Sequence, residues 1–386
     1  MRKVLQISNY YYPNFGGIEQ VARDISNVLR DETDYENKVI CFNEDSRDGE
    51  YVCHRKETIY DNVDGTEIIK CGCFAKISSQ SLSASFGKEL KRVMNEYQPD
   101  IVIFHYPNPF QARYLLKYRK KDFKLLLYWH LDITKQTILK RLFHRQNMAL
   151  IDRMNYVLGA TPMHVDASEY TFAFKNKKIV LPYMIDTAKL ILTEEEEKKA
   201  TEIRQRYKNQ VIGFFVGRHV PYKGLKYLVE ASSELTDIPL KIIIAGSGEL
   251  TEQLKQQADG DSKIEFIGRI SDSEKRSYYK ACDLMCFPSI TRNEAFGLVL
   301  AEGMYFEKPA ITFHIYGSGV NYVNVADETG IECPNCDSHA YAEALKKLVL
   351  DESLRKKMGR AAAQRVKDKF TPEQFRKNLI DILNSI

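Results

Sequence analysis

Four stretches of the 386-residue chain hold residue types whose spacing suits chemistry, and each follows a run of apolar residues. In Gly217-Arg218-His219-Val220-Pro221-Tyr222-Lys223-Gly224, two cations stand five positions apart between glycines. Arginine offers phosphate oxygens a planar fork and lysine offers a point charge, so the pair suits a diphosphate; the ordinary alternative is solvated surface charge. In residues 288–302 a helix opens around Phe296-Gly297-Leu298, with Glu294 before it and Glu302 inside it. The first amides of a helix have no partner within it and attract an anion. Glu302 lies among Leu298, Leu300, Ala301 and Met304. An unpaired carboxylate is costly there, and few cations are close in sequence, so hydroxyl or amide partners are expected. Gly16-Gly17 either brings backbone amides close to a ligand or makes a plain turn. His105 and His130 each end an apolar run, as an acid/base or polar clamp or as satisfied core histidines, and Asp132 is placed to orient His130 or a substrate.

These stretches need strands to present them. Apolar runs at 4–7, 38–42, 66–70, 100–104, 124–128, 156–159 and 178–181 read as strands in the first half. Helical patterns fall between several of them, at 18–29, 86–97 and 136–155. The second half restarts the same alternation with strands at 211–216, 240–245, 264–267, 281–287 and 309–313. Strands alternating with helices imply parallel sheets covered on both faces, and ligands of such sheets sit beyond the carboxyl ends of the strands. The expected fold class is therefore α/β, with two doubly wound, Rossmann-like domains facing a central cleft. The boundary is placed near Asp186, giving domains 1–186 and 187–370. Thr371-Pro372 starts a last helix, 371–386, as cap and first residue, and its stripe of Leu379, Ile382 and Leu383 is expected to pack back on the first domain. Asp61-Asn62-Val63-Asp64-Gly65 reads as a turn.

Composition narrows the function. Apolar residues are 44% and charged residues 28%, ordinary for a soluble globular protein. No run of 18 apolar residues predicts a membrane-spanning helix, and the short apolar run after Met1-Arg2-Lys3 is no secretory signal. The eight cysteines, including Cys71-x-Cys73 and Cys333-Pro-Asn-Cys336, read as reduced thiols without a metal. The formal net charge is +4, but residues 111–153 hold 11 basic and 3 acidic residues, a local +8. There Lys140, Arg141 and Arg145 alternate with Ile138, Leu139, Leu142 and Phe143, a mixture that suits an anionic membrane surface or a plain solvated helix. No nucleic-acid motif accompanies the charge, so no nucleic-acid partner is expected. Also absent are HExxH, a P-loop, a serine elbow and a glycine fingerprint after Ile7.

Taken together, Gly16-Gly17-Ile18-Glu19, His130 with Asp132, the Arg218…Lys223 loop, and Glu294 with Glu302 in E-x7-E spacing make the chain resemble the retaining glycosyltransferases of family 4. The resemblance spans nearly the whole chain and implies the two-domain GT-B fold. It implies that Arg218 and Lys223 hold the diphosphate of a nucleotide sugar, helped by amides near Phe296, Gly297 and Leu298. Gly16, Gly17 and Ile270 join the donor set. Glu302 takes the ribose, Glu294 the sugar hydroxyls, and His130 lies over the transferred sugar, so that His130, Glu294, Arg218 and Lys223 form the catalytic group. His105 and Asp132 fall on the acceptor side. Cations on the protein replace a metal ion, and no cofactor is implied. The donor is a UDP- or GDP-hexose, and the acceptor a glycan or polyprenyl-linked hydroxyl in surface polysaccharide synthesis. The expected location is cytoplasmic, peripheral on the inner face of the membrane. The sequence departs from the family at His314-Ile315-Tyr316-Gly317-Ser318-Gly319-Val320, where a glycine-rich, glutamate-containing stretch is usual. Two other classes build on paired α/β units. These are a two-lobed solute-binding protein and a dinucleotide-dependent oxidoreductase, for which Gly246-Ser247-Gly248 lacks a third glycine.

Overall fold

The computed structural model describes residues 1–14, 16–47, 50–54, 56–77, 80–118, 123–132 and 137–386, with backbone only at 45–47, 50–54, 77, 137–140 and 142. It falls into two compact units. One comprises residues 1–160, 165–181 and 379–386, the other residues 161–164 and 182–378.

The strands of the first unit are β1 (Arg2–Ile7), β2 (Tyr35–Arg47), β3 (Glu50–His54), β4 (Ile59–Val63), β5 (Thr66–Gly72), β6 (Ala75–Ile77), β7 (Gln80–Leu82), β8 (Ile101–Tyr106), β9 (Lys124–Trp129), β10 (Tyr156–Gly159) and β11 (Lys178–Val180). Its main sheet runs β11-β10-β9-β8-β1-β2-β5-β4, with β3 on β2, and β6 and β7 form a hairpin. The central strands are parallel, in register Arg2↔Tyr35 and Val4↔Ile101. All six residues of β8 are buried, as expected of a strand covered on both faces. Residues 61–65, expected as a turn, divide differently. Asp61–Val63 belong to β4, antiparallel to β5, and only Asp64 and Gly65, at φ +51° and +84°, turn the chain. The polar residues there mark an edge strand, whose outer side faces water.

The second unit holds β12 (Val211–Val216), β13 (Leu240–Ala245), β14 (Ile264–Gly268), β15 (Leu284–Phe287), β16 (Ala310–Phe313) and β17 (Gly330–Cys333). All pair in parallel, in the order β14-β13-β12-β15-β16-β17. The strand expected from 281 starts later, because Ala281 ends the helix Asp272–Ala281. The sixth strand, β17, is short and carries Glu332, which hid it from an apolar-run reading. The strand order reverses between β13 and β15, on either side of β12. Loops following β12, β13 and β15 therefore meet at a topological switch point, where open α/β sheets bind ligands. The first unit has the same reversal about β1, flanked by β2 and β8.

The helix Glu194–Arg206 opens with a capping box of Thr193 and Glu196. At the other end of the chain, Thr371 Oγ1 accepts from the Gln374 amide (3.4 Å) at the start of the helix Pro372–Asn384. Residues 379–386 belong to the first unit: Arg2 donates to the carbonyls of Leu383 and Ile386, and Tyr35 donates to Asn384 Oδ1 at 2.8 Å.

Candidate active site

The residues expected to hold a diphosphate sit on two loops of the second unit that are locked together. At Gly224 φ is +63°, and a Cβ would lie 2.1 Å from the Pro288 carbonyl oxygen. Only glycine lets the loop after β12 press on the loop after β15. The Ile290 amide then donates to the Tyr222 carbonyl at 3.0 Å. This clasp carries Lys223 to Glu294, and the ammonium bonds Oε2 of the carboxylate directly. Ser289 Oγ donates to the same oxygen at 3.3 Å. The two side chains are only 10% and 15% exposed, so the pair is largely removed from water. The Lys223 ammonium also lies 5.1 Å from the centre of the Phe287 ring. Arg218, by contrast, is exposed, and its guanidinium makes a long 3.4 Å bond to the Tyr222 hydroxyl. One cation is thus buried and compensated, and the other is presented to solvent.

The loop after β13 braces the loop after β12. The His219 amide donates to the Ser247 carbonyl at 3.0 Å, the Leu250 amide donates to the His219 carbonyl at 3.1 Å, and His219 Nδ1 pairs with Thr251 Oγ1 at 2.9 Å. Burial pushes the His219 imidazolium below the usual histidine value, which favours the neutral ring. Arg269 Nε donates to Ser247 Oγ at 2.8 Å, next to the half-buried Ile270 beyond β14.

Around the helix Leu298–Tyr305, Gly297 takes φ +91° as its cap. Phe296 is buried against Tyr183 and Phe370, with ring centroids 5.4 and 5.1 Å away, so it offers a ligand its backbone and not its ring. Glu302 was expected to find hydroxyl or amide partners and no cation. It has one of each kind: the Tyr279 hydroxyl donates to Oε2 at 2.8 Å, and the Lys275 ammonium stands 3.1 Å from it. Burial alone would lower the Lys275 ammonium, but Glu302 and Asp272 outweigh it and hold it above the usual lysine value. Burial and Glu302 together raise the Tyr279 phenol well above its ordinary value. Lys275 and Tyr279 were not singled out in the sequence; their spacing of four on one helix was the available signal.

In the first unit, Gly16 caps the helix Gly17–Arg30 in extended conformation. A Cβ on Gly16 would run into the Glu19 carboxylate, whereas Gly17 is open. Burial raises the Glu19 carboxyl above its usual value. His105, expected on the acceptor side, has no exposed surface, and both its ring nitrogens are taken: Nδ1 by His130 Nε2 and Nε2 by Gln6 Oε1, each at 3.0 Å. It supports His130 and cannot touch an acceptor. His130 stacks on Tyr128 with centroids 4.5 Å apart. Asp132 accepts from Trp129 Nε1 and Ser168 Oγ, each at 2.8 Å, and from the Glu169 amide at 3.2 Å, which fixes the backbone just past β9.

In the basic stretch, Arg141 and Arg145 are exposed on the helix Thr137–Arg153, while the side chains of Lys140, Ile138, Leu139 and Leu142 lie outside the described residues. Phe143 packs on Phe110 (6.1 Å) and His144 on Tyr170 (5.8 Å), so Phe143 serves the fold as well as any surface. Among the described residues no helix is long and apolar enough to cross a membrane.

Residues 196–365 match the family model of glycosyl transferases group 1, and residues 15–189 that of glycosyltransferase family 4. The chain is similar to the O-antigen chain mannosyltransferase C of Escherichia coli, 27% identical over 97% of this chain and 95% of the relative. It is also similar to the D-rhamnosyltransferase WbpZ of Pseudomonas aeruginosa, 29% identical over 77% and 76%. Among solved structures it shares the fold of a sucrose-phosphate synthase from Thermosynechococcus elongatus (TM-score 0.77, 16% identity, 100% and 99% covered). The Anabaena protein HepE in complex with UDP has the same fold (0.74, 18%, 100% of both chains). These likenesses favour neither the solute-binding nor the oxidoreductase reading.

Proposed function

Since the chain belongs to the group 1/family 4 glycosyltransferases and has the GT-B fold, we propose that it is a retaining, metal-independent hexosyltransferase of surface polysaccharide synthesis. The donor is a UDP- or GDP-hexose, and the acceptor is a hydroxyl of a glycan or polyprenyl-linked saccharide. Its similarity to an O-antigen mannosyltransferase and a D-rhamnosyltransferase supports the pathway, and the UDP bound by HepE supports a nucleotide donor. The reading rests most on the clasped loops at the switch point of the second sheet, where Lys223 and Glu294 meet beside the exposed Arg218.

Transfer of the sugar leaves charge on the departing diphosphate. Donors fixed in place before the reaction stabilise that charge without reorganising, and this is the largest lever such a site has. Arg218 forks the diphosphate oxygens, and Lys223 turns its ammonium from Glu294 toward them. The first amides of the helix Leu298–Tyr305 add partial positive charge. Glu294 is then free to accept from sugar hydroxyls, and Glu302 receives the ribose. His130, its ring only 1% exposed in the free protein, lies next to the transferred sugar, and the exposed Arg141 and Arg145, with Lys140, approach an anionic bilayer carrying the acceptor. The deciding experiment offers UDP- and GDP-linked hexoses with a polyprenyl-diphosphate saccharide acceptor and reads the product's anomeric configuration by NMR. Inversion of configuration, or no transfer from any nucleotide sugar, refutes the proposal.

A further inference from the structure

We infer that Lys275 and Tyr279 are positioning residues that occupy one oxygen of the Glu302 carboxylate, so that the other oxygen alone faces the nucleotide and bonds one of its two ribose hydroxyls. The inference deepens the placing of Glu302 at the ribose and rests on that placing.

Glu302 makes its bonds through a single oxygen. The Tyr279 hydroxyl donates to Oε2 at 2.8 Å, and the Lys275 ammonium stands 3.1 Å from the same atom. Oε1 bonds nothing among the described residues, and the Glu302 side chain keeps 20% of its surface open. A carboxylate oxygen offers about two lone-pair directions, so Oε2 is filled. Both partners are held as donors. Burial would lower the Lys275 ammonium, but Glu302 and Asp272 raise it overall, and burial with Glu302 raises the Tyr279 phenol. Neither partner is free to follow Glu302 if it turns. Tyr279 has no exposed surface, and its ring packs on Phe214 of β12 and on Phe306, with centroids 5.8 Å away in each case. Lys275 lies one turn earlier on the same helix face, and its ammonium is also 3.2 Å from Asp272 Oδ1. Helices that follow parallel strands begin at the carboxyl edge of the sheet, where ligands bind. Lys275 is in the first turn of Asp272–Ala281 and Glu302 is the fifth residue of Leu298–Tyr305, so both stand near that edge.

A carboxylate that only braced two helices would bond through both oxygens, as others in this unit do. Glu265 takes Tyr207 at 2.8 Å and Lys241 at 3.3 Å on Oε2, and gives Oε1 to Arg206 at 2.9 Å. Glu332 gives Oε1 to His314 and Oε2 to Asn321. Glu302 has the same tyrosine and lysine on one oxygen and leaves the other open. The two oxygens of a free carboxylate, side by side, match two vicinal hydroxyls. One oxygen does not, because its lone-pair directions diverge while neighbouring ring hydroxyls lie close together. One hydroxyl therefore donates to Oε1, and the second is left to the first hydroxyl or to water.

The test is calorimetry of the full chain with UDP and its 2′-deoxy and 3′-deoxy forms, and with the same three forms of GDP. One deoxy form should bind about tenfold or more weakly than the parent and the other within about threefold, the difference between a hydrogen bond to a charged group and one to water. In Lys275→Met/Tyr279→Phe, Oε2 is released, and the two deoxy forms should bind within about threefold of each other. Tyr279→Phe alone keeps the ring in the core and should narrow the gap. A fold defect weakens all three nucleotides together and does not move their ratio. Equal losses for both deoxy forms in wild type, abolished by Glu302→Gln, would overturn the single-oxygen reading while leaving Glu302 at the ribose. A wild-type gap that neither variant narrows would overturn the roles of Lys275 and Tyr279. No loss for either deoxy form would show that Glu302 does not hold the ribose, and the inference falls with that placing.

Discussion

Arg218 and Lys223 should respond differently to the same truncation, although both are assigned to one diphosphate. Arg218 is exposed, and among the described residues its guanidinium bonds the Tyr222 hydroxyl at a long 3.4 Å. Arg218→Ala removes a charged donor from phosphate at a cost of about 1.5–3 kcal/mol, roughly 10- to 150-fold in Kd. Its effect on stability should stay within about 0.5 kcal/mol, as for surface sites generally. Lys223 is bonded to a carboxylate that is 15% exposed. Lys223→Ala should lose comparable affinity and also strand Glu294, costing about 3–5 kcal/mol of stability. The double variant Lys223→Met/Glu294→Gln removes both charges and should recover most of that stability without recovering diphosphate binding. Denaturant unfolding reads the stabilities. Calorimetry with UDP, GDP and their nucleosides separates phosphate from base contacts. Wild-type affinity for both diphosphates in Arg218→Ala would refute the assignment of that residue. A Lys223→Ala protein as stable as the double variant would refute the buried-pair reasoning.

Three further outcomes are expected. If, as proposed, cationic side chains serve the leaving group, turnover in excess EDTA should equal turnover with magnesium; activity lost to EDTA and restored by a divalent ion would contradict this. Charge reversal of Lys140, Arg141 and Arg145 should weaken sedimentation with anionic vesicles, each cation being worth about 1 kcal/mol at such a surface, while donor hydrolysis persists. Equal sedimentation with neutral and anionic vesicles would leave a solvated helix. His105, whose folded value is lowered to about 3 by burial, binds no proton in the folded state at pH 4–6, whereas the unfolded chain does. Stability should therefore fall with pH below 6.5 by up to about 1.4 kcal/mol per unit from this group, and His105→Gln should flatten that slope in urea unfolding measured across pH.

The architecture was legible because buried parallel strands are continuous apolar runs, and Ile101–Tyr106 or Val211–Val216 cannot be mistaken for loops. What escaped was polar structure: β4 with its Asp and Asn on a sheet edge, and β17 with Glu332. At the site, Arg218, Lys223, Glu294 and Glu302 stood out as charges next to apolar strands. Their partners did not, because Lys275 and Tyr279 lie on a helix more than 20 positions before Glu302, and only the fold brings them together. His105 shows the opposite limit. Its position at a strand end suggested contact with a ligand, yet its side chain points into the unit where Gln6 waits, and strand alternation decides that only once the sheet's two faces are known.

The Lys223–Glu294 bond has a consequence for product release. In the free protein each charge neutralises the other. On the proposed function, the diphosphate of a bound nucleotide sugar takes the ammonium and its hydroxyls take the carboxylate, so neither is left bare. A nucleoside diphosphate without its sugar satisfies the ammonium only, and leaves a carboxylate in a poorly exposed position close to an anion. That arrangement is repulsive and desolvated, and it weakens the product complex relative to the donor complex. Replacing Glu294 by Gln keeps the size and hydrogen-bonding capacity of the group while removing its charge. The product should then bind more tightly, by about tenfold for roughly 1.4 kcal/mol of repulsion relieved, while the intact donor gains less. Calorimetry of UDP and GDP against wild type and Glu294→Gln, with a non-transferable donor analogue alongside, reads both numbers. Product bound more weakly by Glu294→Gln than by wild type would show that the carboxylate does not oppose the diphosphate, and that its bond to Lys223 belongs to the fold alone.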